Sequence, residues 1–224
     1  MKFIERIPEP ELMDDPEQAR AYAGADFSEP HQAFIERFAQ CFPCHRPRRV
    51  LDLGCGAADI TIRFARAHSG CDLIGVDGAP AMLALAQEAV TRAGLADRIQ
   101  LREVRLPGKT LAQHVFDTVI SNSLLHHLAD PQVLWRTMVD CAEPGAAVFI
   151  MDLRRPDTRA QAGRLVQEYS GNEPEVLRRD FFNSLLAAYR PEEIAAQLAR
   201  VNLSCLQVEA VGDRHVVVHG HLPS

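Results

Sequence analysis

The strongest chemical signal in the 224-residue chain is Val50-Leu51-Asp52-Leu53-Gly54-Cys55-Gly56-Ala57-Ala58-Asp59, an apolar run that ends in an acid and a turn with two glycines. Glycine lets the backbone turn sharply and lets a ligand approach where a Cβ would collide. A nicotinamide-binding loop reads G-x-G-x-x-G and sets pyrophosphate over the next helix N-terminus. Here Asp59 stands at the third-glycine position, and its carboxylate competes with pyrophosphate for the same positive helix end. The loop suits a ligand without phosphates, which counts against an NAD(P)-dependent oxidoreductase. Asp77, about 25 residues beyond Asp52 at the end of a second apolar run, can accept both hydroxyls of a ribose. Taken alone, Asp77 also reads as a helix cap before Pro80. The glycine loop one strand away favours the ribose.

A second group is Ser121-Asn122-Ser123-Leu124-Leu125-His126-His127-Leu128. His127 is a candidate catalytic base or substrate contact, since imidazole titrates near neutral pH. Both histidines also read as polar residues at a helix start. Adjacent side chains diverge, so no metal site is expected there. A third group follows another apolar run: Asp152, Arg154 and Arg155, then Tyr169, Phe181, Phe182 and Tyr189. The arginines suit forked hydrogen bonds to an anionic acceptor or plain surface ion pairs, and both readings stay open. Cys41-Phe42-Pro43-Cys44-His45 has the spacing of c-type haem attachment. That chemistry requires export, and a zinc site would need a second pair of ligands. The six cysteines are read mainly as buried, reduced thiols.

The elements that must position these groups alternate. Apolar runs at 49–53, 71–77, 99–104, 116–121 and 146–153 read as buried parallel strands. Helical patterns lie between them, from Ile60 to His68 with Asp59 as N-cap, from about Ala81 to Ala93 after the opening Pro80, and from Pro131 to Cys141. Glu143-Pro144-Gly145 is a turn signal. A helix from Pro191 to Val201 precedes strands 203–211 and 215–219, joined antiparallel by Gly212-Asp213. The expected architecture is α/β, a doubly wound, mostly parallel sheet with an antiparallel C-terminal strand pair, forming one domain over residues 1–224. Residues 1–47 form a helical cap, and 155–190 a helical insertion after strand five, placed to roof a pocket at the strand ends.

Composition narrows the partners. With 24 Lys+Arg against 30 Asp+Glu, the net charge is -6 and no basic stripe is visible; Arg46, Arg48 and Arg49 read as a solvated strand start. Nucleic acid is not expected as a partner. Residues 1–15 lack the apolar run of a secretory signal, and no stretch approaches the roughly 18 apolar residues of a membrane span. A cytoplasmic location is expected.

Together Val50–Gly56, Gly75–Leu83, Phe116–Pro131 and Pro144–Leu153 resemble the class I S-adenosylmethionine-dependent methyltransferases, in particular the small-molecule branch that includes the ubiquinone/menaquinone C-methyltransferases. The resemblance implies a Rossmann-like fold, S-adenosylmethionine as cofactor, S-adenosylhomocysteine as product and a small-molecule methyl acceptor. It places Gly54, Cys55, Gly56 and Ala57 around the methionine part, and Asp52 orienting this loop and reaching the amino group through water. Asp77 holds the ribose, Gly78 leaves room for adenosine, and Met82 lies over adenine. The Asp that the family offers to adenine is missing from Glu103-Val104-Arg105-Leu106-Pro107, so backbone groups of Val104 and Arg105 take its place. Asn122 faces the cofactor, Tyr22 caps it near the sulfonium, and His126, Arg154 and Tyr169 are candidate substrate contacts. Ala58 stands where the family often has a third glycine. A protein that binds the cofactor without catalysis is the alternative.

Overall fold

The computed structural model of the chain describes residues 3–9, 15–108 and 111–223. Seven strands form one sheet: β1 (Arg49–Leu53), β2 (Asp72–Asp77), β3 (Ile99–Glu103), β4 (Phe116–Asn122), β5 (Ala142–Leu153), β6 (Gln207–Val211) and β7 (His215–His221). Their spatial order is β3-β2-β1-β4-β5-β7-β6. β1 to β5 run parallel, and β7 is antiparallel to both β5 and β6. The sheet is thus mostly parallel with an antiparallel closing pair, as expected. Chain order reverses between β1 and β4, the switch point at which open α/β sheets leave a crevice at the strand carboxyl ends.

Side-chain alternation explains why the strands read as continuous apolar runs. Val50, Leu73, Ile120 and Phe149 face one way, against α2 (Ser28–Cys41), α3 (Asp59–Ala67) and α4 (Pro80–Arg92). Leu51, Leu53, Val119 and Val148 face the other, against α5 (Gln132–Cys141) and α8 (Pro191–Ala199). Both faces are covered, so both sets are apolar. Phe34 and Phe38 of α2 meet Phe149 edge-on, with ring centroids 4.9 and 5.7 Å away. On the opposite face the buried Trp135 indole donates to Gln197 Oε1 at 3.0 Å, tying α5 to α8.

Three expectations change. Asp59 is the first residue of α3 rather than its cap; Ala58 precedes it in a left-handed conformation with no capping side chain. The Asp59 carboxylate instead accepts from His31 Nδ1 at 2.6 Å and Arg63 Nε at 2.8 Å. Glu143-Pro144-Gly145 lies within β5. Phe116 pairs with Ala142 and Thr118 with Ala147, so the extra residues bulge around Gly145 at φ +78°. β6 starts only at Gln207, because Leu203 to Leu206 close a turn through a 3.0 Å backbone bond.

The expected cap and insertion are helical. α1 (Pro16–Gly24) brings Ala19 and Tyr22 into a small apolar cluster with Ala79 and Met82. α6 (Arg159–Ser170) and α7 (Glu175–Ala187) follow β5 and form their own core around Leu165, Leu185 and Leu186. A capping box between Thr158 and Gln161 starts α6. Residues 3–9 strap this pair to the sheet: Ile4 and Ile7 amides donate to the Asp157 and Leu186 carbonyls, and Arg6 donates to the Ala187, His126 and Leu128 carbonyls. Among the described residues no helix is long and apolar enough to cross a membrane.

Candidate cofactor and acceptor site

The loop after β1 alternates into the left-handed region at Gly54 (φ +75°), Gly56 (φ +52°) and Ala58 (φ +66°). Gly54 and Cys55 amides both donate to the Val76 carbonyl, at 2.8 and 3.0 Å, anchoring the loop on β2. A Cβ at Gly54 would lie 3.0 Å from the Leu124 side chain, whereas at Gly56 it would meet open space. Ala58 holds a conformation that costs an L-residue about 1–2 kcal/mol, partly offset in a glycine variant by about 0.4–1 kcal/mol of extra unfolded-state entropy. Ala58→Gly is therefore expected to raise stability by about 0.5–1 kcal/mol, read as a higher urea midpoint. Gly54→Ala is expected to lower it by more than Gly56→Ala.

Asp77 closes the loop from the β2 side. Its Oδ2 accepts from the Gly56 amide at 2.9 Å and its Oδ1 from the Ala79 amide at 2.8 Å. Each carboxylate oxygen keeps a lone pair for a ligand hydroxyl. Burial raises the Asp77 pKa, and the amide bonds oppose it. Asp52 lies deeper, 2% exposed, accepting from Thr61 Oγ1 at 2.6 Å. Burial pushes its carboxyl up to about 7; the Thr61 bond works against this and Asp77 adds to it. The Cys55 thiol beside it is raised well above its usual range by burial first and then by the two acids, which disfavours the thiolate.

All twelve residues expected at the cofactor line two adjoining pockets. Asp52, Cys55 and Ala57 line one and Asp77, Gly78, Met82, Val104 and Arg105 the other, with Tyr22, Gly54, Gly56 and Asn122 common to both. Val104 departs in detail: its amide donates to the Asp77 carbonyl at 2.9 Å, so it is not open to an adenine ring. Tyr22 stacks on Phe27 with centroids 4.8 Å apart. Burial, then Asp152, Asp77 and Asp59, push its phenol up to about 12.

A third cavity of about 290 Å³ opens under α6 and α7, and Tyr22 and Asn122 line it as well. His126, His127, Tyr169 and Phe181 are on its wall. Arg154 is not. Its guanidinium donates to the Asp213 carbonyl at 3.1 Å, so the expected substrate contact is a tie to the β6–β7 turn. Arg155 is buried and donates to the Ala188 carbonyl and Glu193, while Phe182 packs in the α6–α7 core and Tyr189 under Arg6. The cation on the cavity wall is Arg214, 3.3 Å above the Tyr169 ring, next to His215. Burial, then Arg214, lower the His215 pKa to about 4, leaving a neutral imidazole. A signal for this pair was present: an antiparallel last strand begins where the parallel strands end, and His215 pairs with Leu153.

His126 and His127 sit on a 3-10 turn, Leu125–His127. Their rings do not diverge. Centroids are 4.2 Å apart at 35°, because acids on either side draw them together. Glu9 Oε1 lies 3.4 Å from His126 Nε2 and 3.2 Å from His127 Nδ1, and Asp152 Oδ1 lies 2.5 Å from His126 Nδ1. Burial disfavours charge on His126, but Asp152 and Glu9 outweigh it and raise its pKa. No local sequence pattern marks Glu9, which arrives on the N-terminal strap. Cys41 and Cys44 remain free thiols, and His45 Nε2 pairs with Thr118 Oγ1 at 2.8 Å.

Comparison with known proteins agrees with this geometry. Residues 51–148 match the family described as a methyltransferase domain. The chain is 36% identical over 111 residues to the ubiquinone biosynthesis O-methyltransferase of Paracidovorax citrulli, covering 48% of this chain and 44% of that protein. It is 33% identical over 109 residues to the demethylmenaquinone methyltransferase of Lactiplantibacillus plantarum, covering 48% and 46%. The chain thus spans less than half the length of these relatives. A crystal structure of an S-adenosylmethionine-dependent methyltransferase from Aquifex aeolicus superposes with a TM-score of 0.67 at 17% identity, covering 93% of this chain and 98% of that one; at such identity the likeness is one of fold. Residues 51–148 carry a methyltransferase domain, similar to the matching part of the ubiquinone and menaquinone methyltransferases, within a fold like that of an S-adenosylmethionine-dependent methyltransferase.

Proposed function

We propose that the chain transfers the methyl group of S-adenosylmethionine to a small-molecule acceptor held in the cavity under α6 and α7. The observation that carries this reading is that Tyr22 and Asn122 line both cofactor pockets and the acceptor cavity. A methyl group at that junction is within reach of both molecules. The twelve residues around the first two pockets supply what the cofactor asks for: acids for ribose and amino group, a glycine turn for the methionine part, and apolar Met82 for adenine. Asp52 meets the cationic amino group, and the Tyr22 ring offers its face to the sulfonium.

The reaction is an in-line displacement. A lone pair on the acceptor forms the new bond to carbon as the C–S bond breaks, and sulfur keeps the pair, leaving S-adenosylhomocysteine. Alignment alone can supply up to roughly 7–11 kcal/mol of the barrier. An acceptor that must lose a proton meets His127, which borders both the cofactor groove and the acceptor cavity. The cavity size favours a small molecule. Arg48 and Arg49 are spent on Asp117 and Glu143, which argues against a nucleic-acid substrate.

Calorimetry with S-adenosylhomocysteine is expected to show a Kd in the micromolar range or tighter, and no binding at about 1 mM ligand sinks the proposal. Incubation with methyl-labelled cofactor and pools of phenols, quinols and enolisable carbonyl compounds is expected to give labelled product. Tight cofactor binding with no label in any pool supports the non-catalytic alternative.

A further inference from the structure

We propose that Glu9, His126 and His127 bind a divalent transition-metal ion of the zinc type on the wall of the acceptor cavity. The donor atoms Glu9 Oε1, His126 Nε2 and His127 Nδ1 all lie within 4.8 Å of one another. Two imidazoles and a carboxylate suit zinc-like ions and leave positions for further ligands. Ligands bound at about 2.0–2.2 Å across a tetrahedral angle stand roughly 3.3–3.6 Å apart. The Glu9–His126 and Glu9–His127 separations are 3.4 and 3.2 Å, within about 0.1 Å of that range. The 3.4 Å separation exceeds a typical N–H···O hydrogen bond of about 2.7–3.2 Å, and the 3.2 Å separation lies at the long end of that range.

The surroundings favour a cation. Asp152 Oδ1, itself fixed by the Leu153 amide at 2.6 Å, holds His126 Nδ1 at 2.5 Å. That contact holds a proton on Nδ1, so an ion binds at Nε2, toward Glu9, in place of the second proton that the two acids favour there. His126 is only 2% exposed, so water does not readily reach Nε2. Glu9 Oε1 also accepts from Ser184 Oγ at 3.0 Å. Glu9 and Asp152 bring two carboxyl groups to the cluster; the nearby guanidinium of Arg6 is spent on three backbone carbonyls. His126 and His127 line the acceptor cavity, so the remaining coordination positions open toward it.

On the methyl-transfer reading above, an acceptor hydroxyl fills one of those positions. Coordination lowers the hydroxyl pKa and its proton leaves to solvent, with His127 a ligand of the ion in place of the base it offers when no ion is bound. The resulting oxygen anion forms the O–CH3 bond as the S–CH3 bond breaks. The site selects acceptors with a metal-binding oxygen, such as phenols or enols.

The test uses the full chain, treated with chelator and titrated with ZnCl2 by calorimetry and with CoCl2 by visible absorption. One equivalent of zinc is expected to bind, and cobalt to give d–d bands. Glu9→Gln and His127→Ala should each weaken zinc binding about tenfold or more, and Asp152→Asn about ten- to hundredfold, as outer ligands do. Asp77→Ala should leave zinc affinity unchanged. Circular dichroism and S-adenosylhomocysteine binding establish that the variants fold. Zinc binding that survives both Glu9→Gln and His127→Ala overturns the proposal, as does no binding at about 1 mM zinc. Variant-sensitive zinc binding in a protein that binds no S-adenosylhomocysteine would uphold the metal site and remove the methyltransferase reading.

Discussion

Asp77→Ala is expected to weaken S-adenosylhomocysteine binding by about a hundredfold or more, corresponding to about 3 kcal/mol. Two losses add. Hydrogen bonds from ribose hydroxyls to a carboxylate are worth about 1.5–3 kcal/mol each. The same carboxylate also fixes the loop, accepting from Gly56 on one side and Ala79 on the other. Removing it leaves two amides without their partner and frees a turn whose residues hold left-handed conformations. Asp77→Asn separates the effects. Its carbonyl oxygen can still accept one amide bond, but its NH2 group is a donor set against the other amide. An intermediate loss, about tenfold, is expected for Asn. Calorimetry on both variants reads the difference, and equal affinity of Asp77→Ala and wild type would remove Asp77 from the site.

The glycine loop and the acid that closes it were legible in sequence because their demands are local. A turn into the left-handed region selects glycine, and Gly54 and Gly56 announce it within three residues. Asp77 was legible because β2 is a short apolar run with an acid at its end. The mostly parallel sheet followed from alternating runs and helices, and its antiparallel closing pair from the Gly212-Asp213 turn. Ala58 shows the limit: the third left-handed residue is not a glycine, and the cap was assigned to Asp59 one residue later. Asp59 is instead committed to His31 of α2, a partner 28 residues away that no local pattern announces.

The acceptor side was less legible for the same reason. Its groups come from four remote places: Glu9 on the strap, the His126–His127 turn, α6 and α7, and Arg214 and His215 at the start of β7. Arg154 follows a strand end, where a substrate contact is expected, but the β6–β7 turn takes its guanidinium. The two histidines were read as diverging because neighbours on a regular helix do. A 3-10 turn between two carboxylates overrides that rule.

Asp52 is expected to affect stability and binding in opposite directions. Its folded pKa of about 7 lies above its ordinary value of 3.8 because burial penalises the charged form. At low pH both folded and unfolded chains hold the proton, and burial costs little. As pH rises from 3.8 toward about 7, the unfolded chain ionises first, and stability falls by up to about 1.4 kcal/mol per pH unit. Above that window the loss is complete, up to about 4 kcal/mol. Asp52→Asn removes the titration and keeps an oxygen for Thr61 Oγ1. At pH 8 the ligand-free variant is expected to be more stable than wild type by about 2–4 kcal/mol, with the gap closing toward pH 4. Binding runs the other way. A cationic amino group selects the ionised carboxylate, so wild-type affinity for S-adenosylhomocysteine should rise with pH up to about 7, approaching tenfold per unit below it. Asp52→Asn should bind about ten- to hundredfold more weakly at pH 8 and show no such slope. Urea unfolding and calorimetry across pH 5 to 8 measure both. A variant less stable than wild type at pH 8, or a pH-independent wild-type affinity, would show that Asp52 is not a buried acid awaiting a cation.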